Sequence, residues 1–157
     1  MSAPEAITQE GVTSQDILEF SSYAPKDAYY ANQWERIQSG ERPRFNWPAA
    51  LFGHLWWFYR RLWGWGALIF LVQRVLLAFY ASADRHGEIA SMVLCLWLSF
   101  SLQVLAGFFA NHIYLRDARD AIVQGRARQR LPEMLRVEGG TSAIGLAVGM
   151  ALGQLGD

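Results

Sequence analysis

The chain has 157 residues, enough for about one domain, and its 14 acidic and 14 basic residues give a formal net charge of zero. This balance excludes the basic surplus of a typical nucleic-acid-binding domain, so we expect no nucleic-acid partner. The single cysteine, Cys95, excludes an internal disulfide framework and a thiolate metal cluster.

Residues 1–44 are polar and predict a cytoplasmic N-terminal region that is partly disordered, with no more than a short turn at 15–20. Tyr30 and Trp34 are four positions apart, which places them on one face of a helix. We therefore predict a short helix at about 26–39. Its aromatic face either packs on the rest of the protein or lies on lipid headgroups.

Residues 45–157 predict a membrane domain that begins with an aromatic helix at 47–62. Asn46 is a good N-cap, and Pro48 suits the first turn of a helix. The helix would be about 24 Å long, which is shorter than a membrane span of about 20 residues. Tryptophan and tyrosine prefer the headgroup level, so we interpret this helix as interfacial or shallowly re-entrant. The predicted membrane-interface anchors are Trp47, Trp56, Trp57, Tyr59, Arg60, Arg61, Trp63 and Trp65.

Two apolar runs then predict a transmembrane hairpin. Gly64 and Gly66 are the natural place for a bend, which starts the first span at 62–81. The second span, at 89–110, lies in a run without Asp, Glu, Lys or Arg. The polar turn at 82–88 is short, so the two spans should be antiparallel neighbours.

The second span should continue out of the membrane as a charged helix at 111–130. A short Gly-rich membrane segment at 141–155 is ambiguous between a short span and a re-entrant arm. Four arginines lie in 42–61 and six in 116–136, whereas the turn between the spans has one. The positive-inside rule therefore predicts a multi-pass protein with a cytoplasmic N-terminus.

Small or weakly polar residues recur every four positions in two of these segments. In the second span they form a small-residue stripe, composed of Ser91, Cys95, Ser99, Gln103 and Gly107. In the last segment they form a glycine ridge, composed of Gly145, Gly149 and Gly153. Helices associate in lipid through close backbone approach at such residues. The stripe and the ridge predict either a tight three-helix bundle within the chain or a face for self-association or partner docking.

Arg74 lies inside the first apolar span, where a charge is costly and usually marks function. It is about 18 Å from the cytoplasmic end of that span. A short helix that starts at the same interface would bring Gln154 to about 20 Å and Asp157 to about 24 Å depth. We therefore hypothesise that the chain's C-terminus, with Asp157, neutralises Arg74. The alternatives are that Arg74 reaches back to the outer interface, or that it serves transport or a ligand.

No HExxH, P-loop, GxSxG or dinucleotide-binding motif is present in the sequence. His54 and His112 both lie near the expected cytoplasmic interface, and two histidines on neighbouring helices can hold a haem. Interfacial histidines are far more often simple polar residues. We therefore predict no catalytic residue, no metal and no cofactor.

The aromatic stretch resembles a bacterial membrane family catalogued as domain of unknown function 2628. Its matching block consists of Asn46, Trp47, Ala49, Ala50, Phe52, Gly53, Trp56, Tyr59, Arg60, Arg61 and Trp63. Further matches are Tyr29 and Tyr30 upstream, then Asn111, Tyr114, Leu115, Arg116 and residues 139–142 downstream. Pro48 departs from the more common small or polar residue there. The resemblance implies a place in the bacterial inner (cytoplasmic) membrane and brings no reaction, ligand or partner.

The sequence thus predicts an all-α integral membrane protein without enzymatic activity. The leading hypothesis is a scaffold or accessory subunit that docks on a larger membrane assembly. Its expected partners are the lipid bilayer and either other membrane subunits or further copies of itself. The alternative is a small transporter or channel subunit that uses Arg74 and the polar part of the stripe, from Ser91 to Gln103.

Overall fold

The computed structural model describes residues 11–21, 29–128 and 141–154, and these residues form helices and connecting loops without any strand. The predicted all-α class is confirmed. In chain order the helices of the described residues are α1 (Ser14–Ser21), α2 (Tyr29–Gln38), α3 (Trp47–Phe52), α4 (His54–Tyr59), α5 (Trp63–His86), α6 (Ile89–Ala127) and α7 (Ala143–Gly153).

The chain forms two compact units, and their boundary differs from the predicted division after residue 44. The first unit consists of Met1–Pro43 and Ile113–Thr141, and the second of Arg44–His112 and Ser142–Asp157. The end of α6 therefore belongs with the N-terminal residues. Hydropathy along the chain could not show this grouping, because it depends on packing between residues that are distant in sequence.

Helix α1 occupies residues that were expected to hold no more than a turn. The Thr13 N–H and hydroxyl both donate to Asp16 Oδ2, at 2.6 and 2.7 Å, and the Asp16 N–H donates to Thr13 Oγ1 at 3.3 Å. This reciprocal pattern is that of a capping box at a helix N-terminus. Ile17 and Phe20 are 0% and 4% exposed. Tertiary burial therefore stabilises a helix that would be too short to form alone.

The core of the first unit is aromatic. Tyr30 packs on Tyr114 with ring centroids 4.7 Å apart, and both side chains are almost fully buried. The Trp34 indole N–H donates to the Val12 carbonyl at 3.2 Å, which joins α2 to the residues before α1. The aromatic face of α2 was expected either to pack on the protein or to lie on lipid headgroups. In the structure Tyr30 and Trp34 pack on the protein.

The predicted single helix at 47–62 is divided into α3 and α4 at Gly53, which has a φ of 50°. A Cβ there would stand 2.7 Å from the Gln103 side-chain nitrogen, so both backbone conformation and space favour glycine. Asn46 caps α3 as predicted from the sequence, since its side-chain oxygen accepts from the Ala49 N–H at 3.0 Å. A second break follows at residues 60–62, where Arg61 has a φ of 62°.

The bend before the first long helix therefore lies at residues 60–62 and not at Gly64–Gly66. Both glycines are helical in α5, and Gly66 allows close approach, because a Cβ there would stand 3.1 Å from the Phe58 ring. At its other end α5 continues through most of the predicted turn. It stops where Gly87 takes a left-handed conformation with a φ of 72°, which glycine adopts easily at a helix C-terminus.

Helices α5 and α6 are both long and apolar enough to cross a membrane. They are about 36 and 58 Å long at 1.5 Å per residue. Helix α6 is continuous from Ile89 to Ala127, as expected for a second span that continues into a charged helix. Away from their connecting turn the backbones of α5 and α6 do not pack closely against each other.

Candidate functional site

The glycine ridge of α7 packs on α4, which is half of the predicted interfacial helix. At Gly145 a Cβ would overlap the Phe58 carbonyl oxygen, and at Gly149 it would stand 2.9 Å from Leu55 Cδ2. At Gly153 nothing lies within 4 Å of the Cβ position. Two of the three glycines are therefore used within the chain and are not available for partner docking.

Both ends of α7 have hydrogen-bond partners in the second unit. At the N-terminus the Ser142 N–H donates to the Tyr59 carbonyl at 2.8 Å, and Ser142 Oγ accepts from the Gly145 N–H at 2.9 Å. At the C-terminus Arg74 Nη2 donates to the carbonyls of Gly153, at 3.0 Å, and Leu152, at 3.5 Å. These bonds satisfy backbone groups that a helix leaves without intrahelical partners.

Arg74 thus lies at the C-terminal end of α7, next to the negative end of the helix dipole. Its guanidinium carbon also stands 5.4 Å from the centre of the Phe70 ring. The hypothesis placed Gln154 and Asp157 near Arg74. Asp157 lies outside the described residues. The carbonyl oxygens at 152 and 153 were not anticipated as partners, because sequence patterns reveal side chains more readily than the orphan carbonyls of a helix end.

A buried pair of asparagines connects the start of α3 to the middle of α6. Asn46 Nδ2 donates to Asn111 Oδ1 at 2.7 Å, and Asn111 Nδ2 donates to the Arg44 carbonyl at 2.7 Å. The Asn46 N–H also donates to the Gly107 carbonyl at 2.9 Å. Asn46 and Asn111 are 2% and 0% exposed. Each asparagine is a polar amide within an apolar stretch, which could have marked it in the sequence as a residue that needs a partner. No local pattern indicated that the two asparagines pair with each other.

The small-residue stripe lies on the less exposed side of α6. Cys95 and Gly107 are buried, and Ser91, Ser99 and Gln103 are half-buried. A Cβ at Gly107 would overlap the Phe45 ring, so this glycine permits the start of the α3 segment to approach α6. Part of the stripe therefore serves contacts within the chain.

The predicted interface anchors separate into three groups by their exposure. Trp47, Trp63 and Trp65 are 66%, 44% and 45% exposed, as a lipid-facing role requires. Trp56 and Trp57 are 5% and 1% exposed. They do not face outwards, because α3, α5 and α7 pack around the short α4 that carries them. Tyr59, Arg60 and Arg61, at the end of α4, are half-buried.

A groove of about 520 Å³ lies between α5 and α6 beside the turn that joins them. Polar residues line its mouth, namely Ser82, His86, Glu88 and Ser91. Apolar residues and the single cysteine line its interior, namely Val75, Leu76, Phe79, Leu94, Cys95 and Leu98, with Ala83 close to the mouth. The sequence places Ser91 and Cys95 in the stripe but does not reveal the groove, because a cavity between two helices depends on how they pack.

The histidines occupy different surroundings. His54 Nδ1 lies 3.0 Å from Gln73 Oε1, which links α4 to α5, whereas His112 is exposed on α6. Within the described ranges, no three or more His, Cys, Asp or Glu residues are grouped so that they could hold a metal ion.

In the first unit an arginine near the end of α6 contacts the α1 region. Arg126 donates from Nη2 to Asp16 Oδ1 and from Nη1 to the Gly11 carbonyl. Burial of the Asp16 carboxyl acts to raise its pKa, but hydrogen bonds from Thr13 and Arg126 outweigh burial and lower it. The ionised carboxylate is therefore the form that this arrangement stabilises.

Comparison with known proteins gives one match. The family described as protein of unknown function (DUF2628) matches residues 14–119, which is more than half of the chain. The chain therefore belongs to this family. Neither the search of curated proteins nor the search of solved structures finds a match.

Proposed function

We propose that this DUF2628 member is a multi-pass protein of the bacterial inner membrane that acts as a scaffold or accessory subunit of a larger membrane assembly. Exposure of the long helices supports the membrane location. Within the most apolar 18-residue window of each helix, 17% of α5 and 11% of α6 is buried. A core helix of a soluble protein would be mostly buried. Water-exposed apolar surface on this scale is rare in soluble monomers.

The arginine distribution supports an orientation with the N-terminus in the cytoplasm. Arg85 is the single arginine in 82–88, the segment that contains the end of α5 and the link to α6, whereas ten lie in 42–61 and 116–136 together. Cytoplasmic flanks carry the excess of arginine and lysine. The turn would therefore face the opposite side of the membrane.

The observation that carries the docking role is Trp97. Its side chain is 64% exposed, and its ring meets Phe100, which is 62% exposed, edge to face at 6.3 Å. Trp97 lies eight residues after Ile89, about 12 Å into the apolar run. Tryptophan prefers the headgroup level and gains little from acyl chains at that depth. A partner helix that covers this aromatic pair explains its position, since buried tryptophans dominate many interfaces.

Trp97→Leu tests this role, because leucine keeps the surface apolar while removing the indole ring. The full chain would be extracted in mild detergent, and the mass of its complex measured. We expect a complex of defined stoichiometry, containing another subunit or a second copy, that dissociates with Trp97→Leu. Phe109→Leu is the matched control, since Phe109 is a 55% exposed aromatic on another face of α6. A wild-type chain that is strictly monomeric and free of partners would contradict the proposal.

The alternative, a transporter or channel subunit, relied on Arg74 and the polar part of the small-residue stripe. Arg74 donates to the carbonyls at the end of α7, so a contact within the chain accounts for its position. The transport function stays a prediction. Flux in proteoliposomes that Arg74→Leu abolishes, with the fold intact, would support it.

A further inference from the structure

We propose that the groove between α5 and α6 binds one phospholipid whose headgroup carries a primary ammonium group, an inference that rests on the membrane location proposed above. The mouth of the groove is polar and its interior is apolar. This order is that of a phospholipid, with its headgroup at the turn and an acyl chain between the helices. The volume of about 520 Å³ lies within the range of small-molecule sites, about 300–1,000 Å³.

The depth of the groove matches one leaflet of a bilayer. From His86 back to Val75, α5 rises about 16 Å, and from Glu88 to Leu98, α6 rises about 15 Å. Half of the hydrocarbon core is also about 15 Å thick. A transmembrane helix of a partner would cross both leaflets and need a groove about twice as long. An acyl chain is therefore the better fit.

The hydrogen-bonding groups at the mouth select the headgroup. Ser91 Oγ donates to Glu88 Oε2 at 3.0 Å, which holds that carboxylate beside the groove. His86 Nδ1 lies 2.7 Å from the Ser82 carbonyl oxygen. A carbonyl accepts only, so Nδ1 carries the proton and Nε2 is an acceptor in the neutral imidazole. An ammonium with three N–H donors suits a carboxylate and an imidazole acceptor, whereas a trimethylammonium group has no N–H to donate.

The charge of segment 82–88, at this end of the two helices, points the same way. The segment contains the carboxylates Asp84 and Glu88 and one guanidinium, Arg85. This balance disfavours an anionic headgroup and favours a cationic amine. Phosphatidylethanolamine is the probe, because its headgroup carries a primary ammonium group. Phosphatidylcholine with the same acyl chains is the comparison, because its headgroup lacks the N–H donors.

Native mass spectrometry of the purified full chain with each added lipid tests the proposal. We expect one bound phosphatidylethanolamine, with an affinity about tenfold above that for phosphatidylcholine or phosphatidylglycerol, as a charge-assisted hydrogen bond provides. Glu88→Gln should abolish this preference. Asp84→Asn removes the same charge from the same segment but lies outside the groove lining, and should preserve it. Equal binding of the three lipids, or equal loss in both variants, would overturn the proposal.

A second pair of variants tests the acyl-chain part of the groove. Leu94 lines the groove and is 59% exposed, whereas Leu96 is 58% exposed and does not line it. Leu94→Trp should lower phosphatidylethanolamine binding about tenfold or more by filling the groove, and Leu96→Trp should leave binding unchanged. Equal effects would again refute the site. Recovery of the wild-type chain in the soluble fraction would instead refute the membrane location itself. A failure of the lipid site and a failure of the membrane location are therefore distinguishable.

Discussion

Replacing Gly145 with alanine is the sharpest test of how α7 is held in the second unit. The added methyl group would overlap the Phe58 carbonyl oxygen and stand 2.9 Å from the Phe58 carbonyl carbon. Both are backbone atoms, so relief requires α7 and α4 to move apart. Gly153→Ala is the control on the same helix, because its methyl group would meet nothing within 4 Å.

The expected loss follows from two opposing effects. Overpacking a close contact costs about 1–3 kcal/mol, and alanine regains at most about 1 kcal/mol of helix propensity over glycine. Because the obstacle at Gly145 is rigid backbone, we expect a net loss of about 2 kcal/mol. This corresponds to a fall in Tm of about 4–8 °C for a chain of this size. Gly149→Ala should lie between the two, since its two nearest neighbours are side-chain atoms, Leu55 Cδ2 at 2.9 Å and Phe58 Cδ2 at 3.1 Å.

Thermal unfolding of the purified chain in detergent, followed by helical circular dichroism, would measure these differences. The reasoning requires the order Gly145→Ala, Gly149→Ala, Gly153→Ala, from least to most stable. If Gly145→Ala and Gly153→Ala have the same Tm, then the packing of α7 on α4 does not limit stability. If Gly153→Ala is the less stable of the two, the contact geometry of α7 is refuted.

Three further predictions concern buried or paired polar groups. Asn111→Ala should lower the free energy of unfolding by about 1–3 kcal/mol, because it leaves the Asn46 amide without its partner. The double Asn46/Asn111 variant, measured by thermal unfolding, should lose less free energy of unfolding than the two single variants lose together. Arg74→Lys should keep part of the contact with the end of α7, and Arg74→Leu should keep none. Because this contact holds the end of α7, carboxypeptidase should attack the C-terminus fastest in the leucine variant. The lowered pKa of Asp16 stabilises the fold above about pH 4, the usual unfolded value, and this stabilisation is lost as the pH falls through the lower folded pKa. The protection of the α1 amides, measured as hydrogen exchange relative to the intrinsic rate at each pH, should therefore fall in acid. Asp16→Asn or Arg126→Gln should remove most of that dependence.

Local chemistry in the sequence predicted the parts of this fold that depend on neighbours along the chain. The cap at Asn46 is one example, because the geometry of a helix N-terminus needs only the next three residues. The glycine ridge correctly indicated close helix packing at Gly145 and Gly149. It could not indicate which helix α7 packs on, because the sequence predicted one helix over 47–62 and did not predict α4 as a separate helix.

The sequence prediction was wrong for residue types that suit two different structural environments. Glycine permits both bends and close approach, and Gly66 serves the second because Phe58 lies over it. Tryptophan suits both a lipid interface and a protein core. Trp56 and Trp57 are in the core because helices distant in sequence surround α4, and composition alone does not distinguish the two environments.

The length of α7 follows from the two contacts at its ends. Eleven residues separate Ser142 from Gly153, and eleven separate Trp63, at the start of α5, from Arg74, so both intervals rise about 16 Å. Helix α7 therefore ends at the level of Arg74, where its terminal carbonyls would otherwise need water. In an apolar environment every backbone group must find a partner, and here Tyr59, Ser142 and Arg74 provide partners at both ends. Helix α7 can therefore be as short as eleven residues and still have protein partners for backbone groups at both ends.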